Sequence, residues 1–177
     1  YKLRSDVEIK ELEVTVALGL TDPPKGALTD PRHPKLGWRL YSTDAEKFNQ
    51  PINWTKLRVD YVIPEYGSEL TGESYILEMG FERLNGVDFK KGCYVGQEVT
   101  ARMKHKTELH KGLVKIGSEQ TMVNGEELFL NDKPIGSVLT VYDRSALAYV
   151  RLKNRDEILS TKSTKRIFVD TNPISSN

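Results

Sequence analysis

The segment 90–98, KKGCYVGQE, constrains this chain more than any other, because it holds the only cysteine, Cys93. Val95, Val99 and Met103 recur after the cysteine at helical spacing. This pattern predicts a helix running to about Met103, with Cys93 at or near its N-terminus.

Cys93 in that position would have a cationic environment. Unpaired backbone N–H groups and the positive end of a helix dipole favour an anion, and Lys91 adds a full positive charge. The thiolate, which attacks electrophiles and binds metals, would be favoured there. The alternative is a buried structural cysteine, since free cysteines are among the most buried residues.

Composition excludes several classes of protein. The net charge of the 177 residues is +1, so no global field draws in nucleic acid or membrane. No apolar run approaches the roughly 18–20 residues of a membrane span, and no signal peptide is evident. One cysteine forms no internal disulfide, which fits a reducing compartment. Phosphate-loop and dinucleotide fingerprints are absent, as is any serine hydrolase motif.

Hydrophobic patterns predict short elements in the first half. Alternating apolar residues predict a strand or strand pair that ends at Gly19, and Trp38 and Leu40 share one face of another strand. The alternating residues are Val7, Ile9, Leu12, Val14 and Val16. Thr43 or Asp44 is predicted to cap a short helix through Phe48. His33, in a loop between prolines, is interpreted as a structural surface residue.

Two helices are predicted next, and the pattern then changes to short strands. Asn53 is predicted to cap a helix that stops before Pro64, and residues 75–84 are predicted to be helical, with Ile76, Met79 (or Gly80) and Leu84 inward. From about residue 111 onward, short apolar runs alternate with turn signals at 124–125 and 131–132. This pattern is typical of a small β-barrel.

The segment 91–98 resembles the signature of the folate-binding YgfZ family, iron–sulfur cluster assembly factors related to the glycine cleavage T protein. Other stretches fit the family in its order, namely 1–9, 30–39, 63–65, 85–89 and 146–152. The resemblance implies an α+β, T-protein-like folate-binding domain, incomplete at its N-terminus, followed by a C-terminal β-barrel. The expected boundaries are 1–107 for the first region, 108–170 for the barrel and 171–177 for a frayed tail.

The resemblance also implies site residues. Cys93 would be the reactive group. The residues expected to hold the folate are Lys91, Tyr94, Glu78, Arg58 and Arg102. Gly92 and Gly96 would permit the turn and close packing, while Gln97 and Glu98 would bond back to the motif and fix the helix start.

Individual positions agree with the family to different degrees. A carboxylate at Glu78 could accept two N–H bonds from the pterin edge, although an ordinary surface glutamate is the alternative. Val62 stands where the family usually has glycine, which puts the local backbone shape in question. Leu77 stands where the family usually has proline.

A resident metal centre is not expected. A structural zinc or an independent cluster needs about four ligands, which one cysteine does not supply. Cys93 could still contact a transient cluster shared with a second subunit or a partner. His105 and His110, five residues apart, would not share a helix face.

Three functions remain open on the sequence. The leading hypothesis is a tetrahydrofolate-binding protein that assists assembly or repair of iron–sulfur enzymes, with reduced folate and iron–sulfur carrier or client proteins as partners. A second is a folate-dependent aminomethyltransferase, which would release ammonia from an aminomethylated lipoyl carrier; whether the protein is an enzyme is left open. A third is a tRNA modification factor, prompted by the basic segment 104–111. Bacterial cytosol and mitochondrial matrix both fit.

Overall fold

The computed structural model describes residues 6–44, 47, 51–106, 108–154, 159–161 and 166–170. The chain divides into two compact units, Tyr1–Asp30 with Leu36–Ile52, and Pro31–Lys35 with Asn53–Asn177. The expected boundary near residue 107 stays a prediction.

The first unit contains a three-stranded antiparallel sheet with β3 in the middle. Its strands are β1 (Thr15–Gly19), β2 (Leu28–Thr29) and β3 (Trp38–Ser42). Trp38 and Leu40 are both buried on one face, as predicted. The Trp38 ring lies over Gly19, where an added Cβ would be 2.2 Å from the ring. A glycine at position 19 is therefore required by packing.

The strand predicted upstream is only partly present. β1 begins at Thr15, and the predicted strand residues before it are exposed, Ile9 by 80% and Leu12 by 72%. Ala17, rather than Val16, points into the core. The apolar alternation over residues 7–14 was wrong as a strand signal, because no described strand pairs with this segment. The short helix predicted through Phe48 falls largely outside the described residues.

Helix α1 (Trp54–Tyr61) opens the larger part of the second unit. Asn53 Oδ1 accepts a hydrogen bond from the backbone N–H of Lys56 at 2.9 Å, which confirms the predicted cap. Val62 ends the helix in the left-handed conformation, with φ 52° and ψ 55°.

The helix predicted over residues 75–84 is wrong, since the structure forms consecutive turns there. Gly80 has φ +78° and Asn85 has φ 56°, and neither angle is compatible with a continuing right-handed helix. Met79 and Leu84 are nevertheless buried, as predicted, whereas Ile76 is half-buried. Helix α2 (Glu98–Lys106) follows.

The all-β pattern predicted for the last third is confirmed. Six strands form an antiparallel barrel in the order β4-β7-β6-β5-β8-β9, closed by β9 on β4. They are β4 (Lys111–Ser118), β5 (Glu127–Leu130), β6 (Lys133–Tyr142), β7 (Ser145–Arg151), β8 (Leu159–Thr161) and β9 (Arg166–Val169). The two-residue turn at Asn131 and Asp132 has positive φ at both positions, the geometry that suits a tight hairpin.

The barrel has an apolar interior and an apolar outer contact. Ile116, Leu128, Val138 and Ile167 are fully buried inside it. On the outside, Val59 and Val62 of the α1 region pack against Leu147. Burial of such aliphatic side chains contributes about 1.5–3 kcal/mol each, which holds α1 against the barrel.

His33 is not a surface residue as predicted. Its side chain is 6% exposed and stacks on Tyr61, with ring centroids 4.3 Å apart. Its Nδ1 accepts a hydrogen bond from the Lys35 backbone N–H at 3.1 Å. The role is structural, but the residue is buried. Among the described residues, none of the helices is long and apolar enough to cross a membrane.

Candidate functional site

The cysteine segment is an irregular loop that leads into α2. The Tyr94 backbone N–H donates to Gln97 Oε1 at 3.1 Å, and the Gln97 carbonyl accepts from the Ala101 N–H at 2.9 Å. Gly96 has φ +91°, which favours glycine at this turn. Gln97 therefore bonds back to the motif as expected, and Glu98 is the first residue of α2.

Cys93 does not lie at the helix N-terminus, so that prediction was wrong. The left-handed conformation of Gly96 separates the cysteine from α2, which begins at Glu98. The valines that suggested a longer helix are exposed, Val95 by 101% and Val99 by 52%. Cys93 itself is exposed and forms no disulfide, which rules out the alternative of a buried structural cysteine.

A cavity of about 170 Å³ adjoins the thiol. The lining includes four residues that the sequence singled out, Lys91, Cys93, Tyr94 and Gln97. Lys91 Nζ lies 4.6 Å from the Tyr94 ring centroid, a cation–π contact that keeps a positive charge beside the motif. The structure therefore brings the cysteine, a lysine and an aromatic ring to one open concavity.

Two further residues of this cavity were missed by the sequence reasoning. Phe89 and His105 line it and contact each other edge to face, with ring centroids 6.4 Å apart. The position of His105 on α2, one helical turn after Ala101, is the signal that could have indicated this face. Within the described part of the chain, no three His, Cys, Asp or Glu side chains form a group that could hold a metal ion.

The basic residues near the motif are not all directed to solvent. Lys104 forms an ion pair with Glu82, and its ammonium lies 5.0 Å from the Phe89 ring centroid. Arg102 is exposed on α2. Lys104 therefore anchors α2, while Arg102 remains on the surface.

Glu78 lies outside the lining of the cysteine cavity and is held by the barrel. Its Oε2 accepts a hydrogen bond from the Tyr149 hydroxyl, and its carbonyl accepts from the Leu113 N–H at 2.9 Å. Burial and the Glu78 hydrogen bond raise the pKa of Tyr149, so the phenol stays protonated and donates.

Arg58 lies in an ion-pair network away from the cysteine. Its Nη1 is 2.6 Å from Glu65 Oε2, and its Nη2 is 2.5 Å from Glu69 Oε2. The Thr140 hydroxyl donates to the other oxygen of Glu69, whose side chain is fully buried. Glu69 and Thr140 were missed because nothing local in the sequence marks a buried glutamate.

The second unit thus defines a protein of mixed α and β structure, in which a Lys-Gly-Cys-Tyr loop stands exposed beside a cavity and a barrel follows. No family model matches the chain. Curated relatives do match it. The mouse (Mus musculus) iron–sulfur cluster assembly factor IBA57, mitochondrial, is 36% identical over 100 residues, which cover 52% of this chain and 28% of the mouse protein.

Two further relatives agree with this match. The human (Homo sapiens) iron–sulfur cluster assembly factor IBA57, mitochondrial, is 35% identical over 97 residues, 50% of this chain and 27% of the relative. The homologue from Mycosarcoma maydis is 31% identical over 134 residues, 66% of this chain and 33% of the relative. The chain is therefore homologous to the IBA57 iron–sulfur cluster assembly factors, the eukaryotic YgfZ-related family, and the resemblance is confirmed. The matches span about a third or less of these relatives' length.

Proposed function

We propose that this chain assists assembly or repair of iron–sulfur enzymes, with the Cys93 thiol as its working group. The observation that carries the proposal is the exposed Cys93 beside Lys91 and Tyr94 at an open cavity. Homology to proteins named as iron–sulfur cluster assembly factors supports it.

The stoichiometry defines what the thiolate can do. One cysteine supplies one of the roughly four ligands that a cluster needs, so the remaining ligands come from a carrier or client protein. The cluster is then a substrate that the protein binds transiently and does not retain. Exposure of Cys93 suits a ligand shared between two proteins, and the nearby Lys91 ammonium suits an anionic cluster.

Tetrahydrofolate, or a one-carbon derivative, is proposed as the cofactor. Glu78 fits the role of pterin acceptor, because its side chain is half-buried and no described residue is bonded to its Oε1. The exposed cations Lys91 and Arg102 suit the glutamate tail of a folate. Arg58 already holds Glu65 and Glu69, so we assign it to supporting the loop between them.

The mitochondrial matrix is the proposed location. The names of the relatives include the word mitochondrial. The one free cysteine and the reducing compartment inferred from it agree with that location.

Rescue of cells that lack the native protein tests the proposal. The complete protein should restore iron–sulfur enzyme activity, and Cys93→Ala should not, at equal protein levels on immunoblot. Val123→Ala, at an exposed position in the loop between β4 and β5, is the matched control and should behave as wild type. Full rescue by Cys93→Ala would show that the thiol is dispensable and the proposed role wrong.

A further inference from the structure

We propose that Tyr149 is a positioning residue that fixes the Glu78 carboxylate for a ligand with adjacent N–H donors, such as the pterin ring of a reduced folate. Tyr149 lies on β7, in the barrel, whereas Glu78 lies in the turns before the cysteine segment. The inference rests on the proposed function and adds a residue to it that the sequence did not suggest.

The backbone at Glu78 needs an external support. Residues 76–85 form turns rather than a helix, so no continuous ladder of hydrogen bonds fixes the direction of this carboxylate. The Leu113 N–H on β4 supplies one support through its 2.9 Å bond to the Glu78 carbonyl. At the neighbouring Gly112, an added Cβ would lie at an ordinary contact distance of 3.4 Å from the same carbonyl, so this approach does not depend on glycine.

The side chain has a second support from the neighbouring strand. Tyr149 is the direct partner of Leu113 in the β4–β7 register, and its hydroxyl donates to Glu78 Oε2. A single cross-strand pair therefore holds Glu78 at its backbone and at its carboxylate. Two fixed points on one residue define where the free oxygen is directed.

This arrangement leaves the carboxylate able to bind. A carboxylate oxygen has about two lone-pair sites, so Oε2 can accept a ligand N–H beside the tyrosine hydroxyl while Oε1 accepts another. The donor is retained over the physiological pH range, because burial and the carboxylate raise the pKa of Tyr149. Tyr149 also lines a cavity of about 270 Å³, together with Tyr75 and Met79, the residue after Glu78.

A double-mutant cycle on folate affinity tests the inference. The dissociation constant of tetrahydrofolate would be measured by calorimetry for the complete wild-type protein, Tyr149→Phe, Glu78→Gln and the double variant. Tyr149→Phe should weaken binding about tenfold in the wild-type background, the effect of one hydrogen bond to a charged group. In the Glu78→Gln background it should change binding by less than about twofold. Tyr142→Phe, at another half-buried barrel tyrosine, is the matched control and should bind as wild type.

The outcomes separate this inference from the proposed function. If Glu78→Gln loses affinity and Tyr149→Phe does not, the positioning role is overturned and folate binding stands. If Tyr149→Phe weakens binding equally in both backgrounds, it acts through the fold and not through Glu78, which also overturns the role. If the wild-type protein does not bind tetrahydrofolate, the folate proposal fails and this inference fails with it.

Discussion

Arg58 on α1 neutralises Glu69, a glutamate whose side chain has no exposed surface, across a distance of 2.5 Å between Nη2 and Oε2. The same carboxylate accepts from the Glu65 backbone N–H at 3.0 Å and from the Thr140 hydroxyl on β6. One buried charge therefore joins the helix, the loop after it and the barrel.

Removal of Arg58 should destabilise the fold strongly. Arg58→Ala leaves the Glu69 carboxylate buried without its partner, which costs about 3–5 kcal/mol. Urea denaturation followed by circular dichroism measures the change. Arg102→Ala, at an exposed arginine, is the control and should stay within about 0.5 kcal/mol of wild type. A loss below about 1 kcal/mol for Arg58→Ala would show that the network is not structural.

Val62 keeps the backbone shape that a glycine would give. Its φ of 52° and ψ of 55° lie in the left-handed region, which glycine adopts without strain and valine does not. Left-handed conformation costs an L-residue roughly 1–2 kcal/mol, and burial of Val62 in the contact with the barrel offsets that strain.

The order of two substitutions tests that balance. Val62→Gly should be more stable than Val62→Ala by about 1 kcal/mol, because only glycine relieves the strained φ. At Val59, buried in the same cluster but right-handed within α1, the order should reverse, with glycine less stable than alanine by about 1 kcal/mol. Chemical denaturation of the four variants decides the point. If the alanine variant were more stable than the glycine variant at both sites, Val62 would not be strained.

The two glycines of the motif should differ in how well they tolerate substitution by alanine. Gly96→Ala forces alanine into φ +91° and should cost about 1–2 kcal/mol locally, seen as faster amide hydrogen exchange at the start of α2. Gly92 does not have a left-handed φ, and an added Cβ there meets nothing within 4 Å. The Gly92→Ala variant should therefore show the same amide hydrogen-exchange rates and the same melting temperature as wild type. Equal disruption by both substitutions would contradict the turn geometry.

Alkaline pH should weaken the contribution of Tyr149. Its folded pKa is raised above the ordinary 10.0, first by burial and then by Glu78. The folded state thus holds the phenol proton more tightly, so the stabilisation is complete below about pH 10 and is lost as the pH rises toward the folded pKa. The free-energy difference between wild type and Tyr149→Phe should fall over that range.

An exposed tyrosine provides the comparison for this titration. Tyr66 is 86% exposed, and Tyr66→Phe is the comparison variant measured beside Tyr149→Phe at each pH. Urea denaturation at each pH gives both differences. If the Tyr149→Phe difference stayed level, the hydrogen bond to Glu78 would not form in solution.

Local sequence patterns correctly predicted a helix cap, a hairpin turn and the barrel strands. The Asn53 cap, the Asn131–Asp132 hairpin turn and the barrel strands follow from side-chain capping, turn conformation and alternation. The predicted helix over residues 75–84 was wrong because Gly80 adopts a left-handed φ, which the apolar spacing of this segment does not reveal.

The sequence predicted the residues of the cysteine loop, but it did not predict the distant side chains that hold Glu78 and Arg58. The motif residues Lys91, Cys93, Tyr94 and Gln97 share one cavity, as their sequence proximity allows. The partners of Glu78 and Arg58 include Tyr149 and Thr140, each more than 70 residues away. Such contacts depend on the closed barrel, which no local pattern specifies.

The most direct test of Cys93 as a cluster-contacting thiol is absorption spectroscopy of the complete protein after gel filtration with a cluster-loaded iron–sulfur carrier. The account predicts that wild type and the exposed control Val123→Ala co-elute with the carrier and the cluster absorption, and that Cys93→Ala elutes without either the absorption or bound iron. Co-elution of Cys93→Ala with the same absorption and the same iron content as wild type would contradict it.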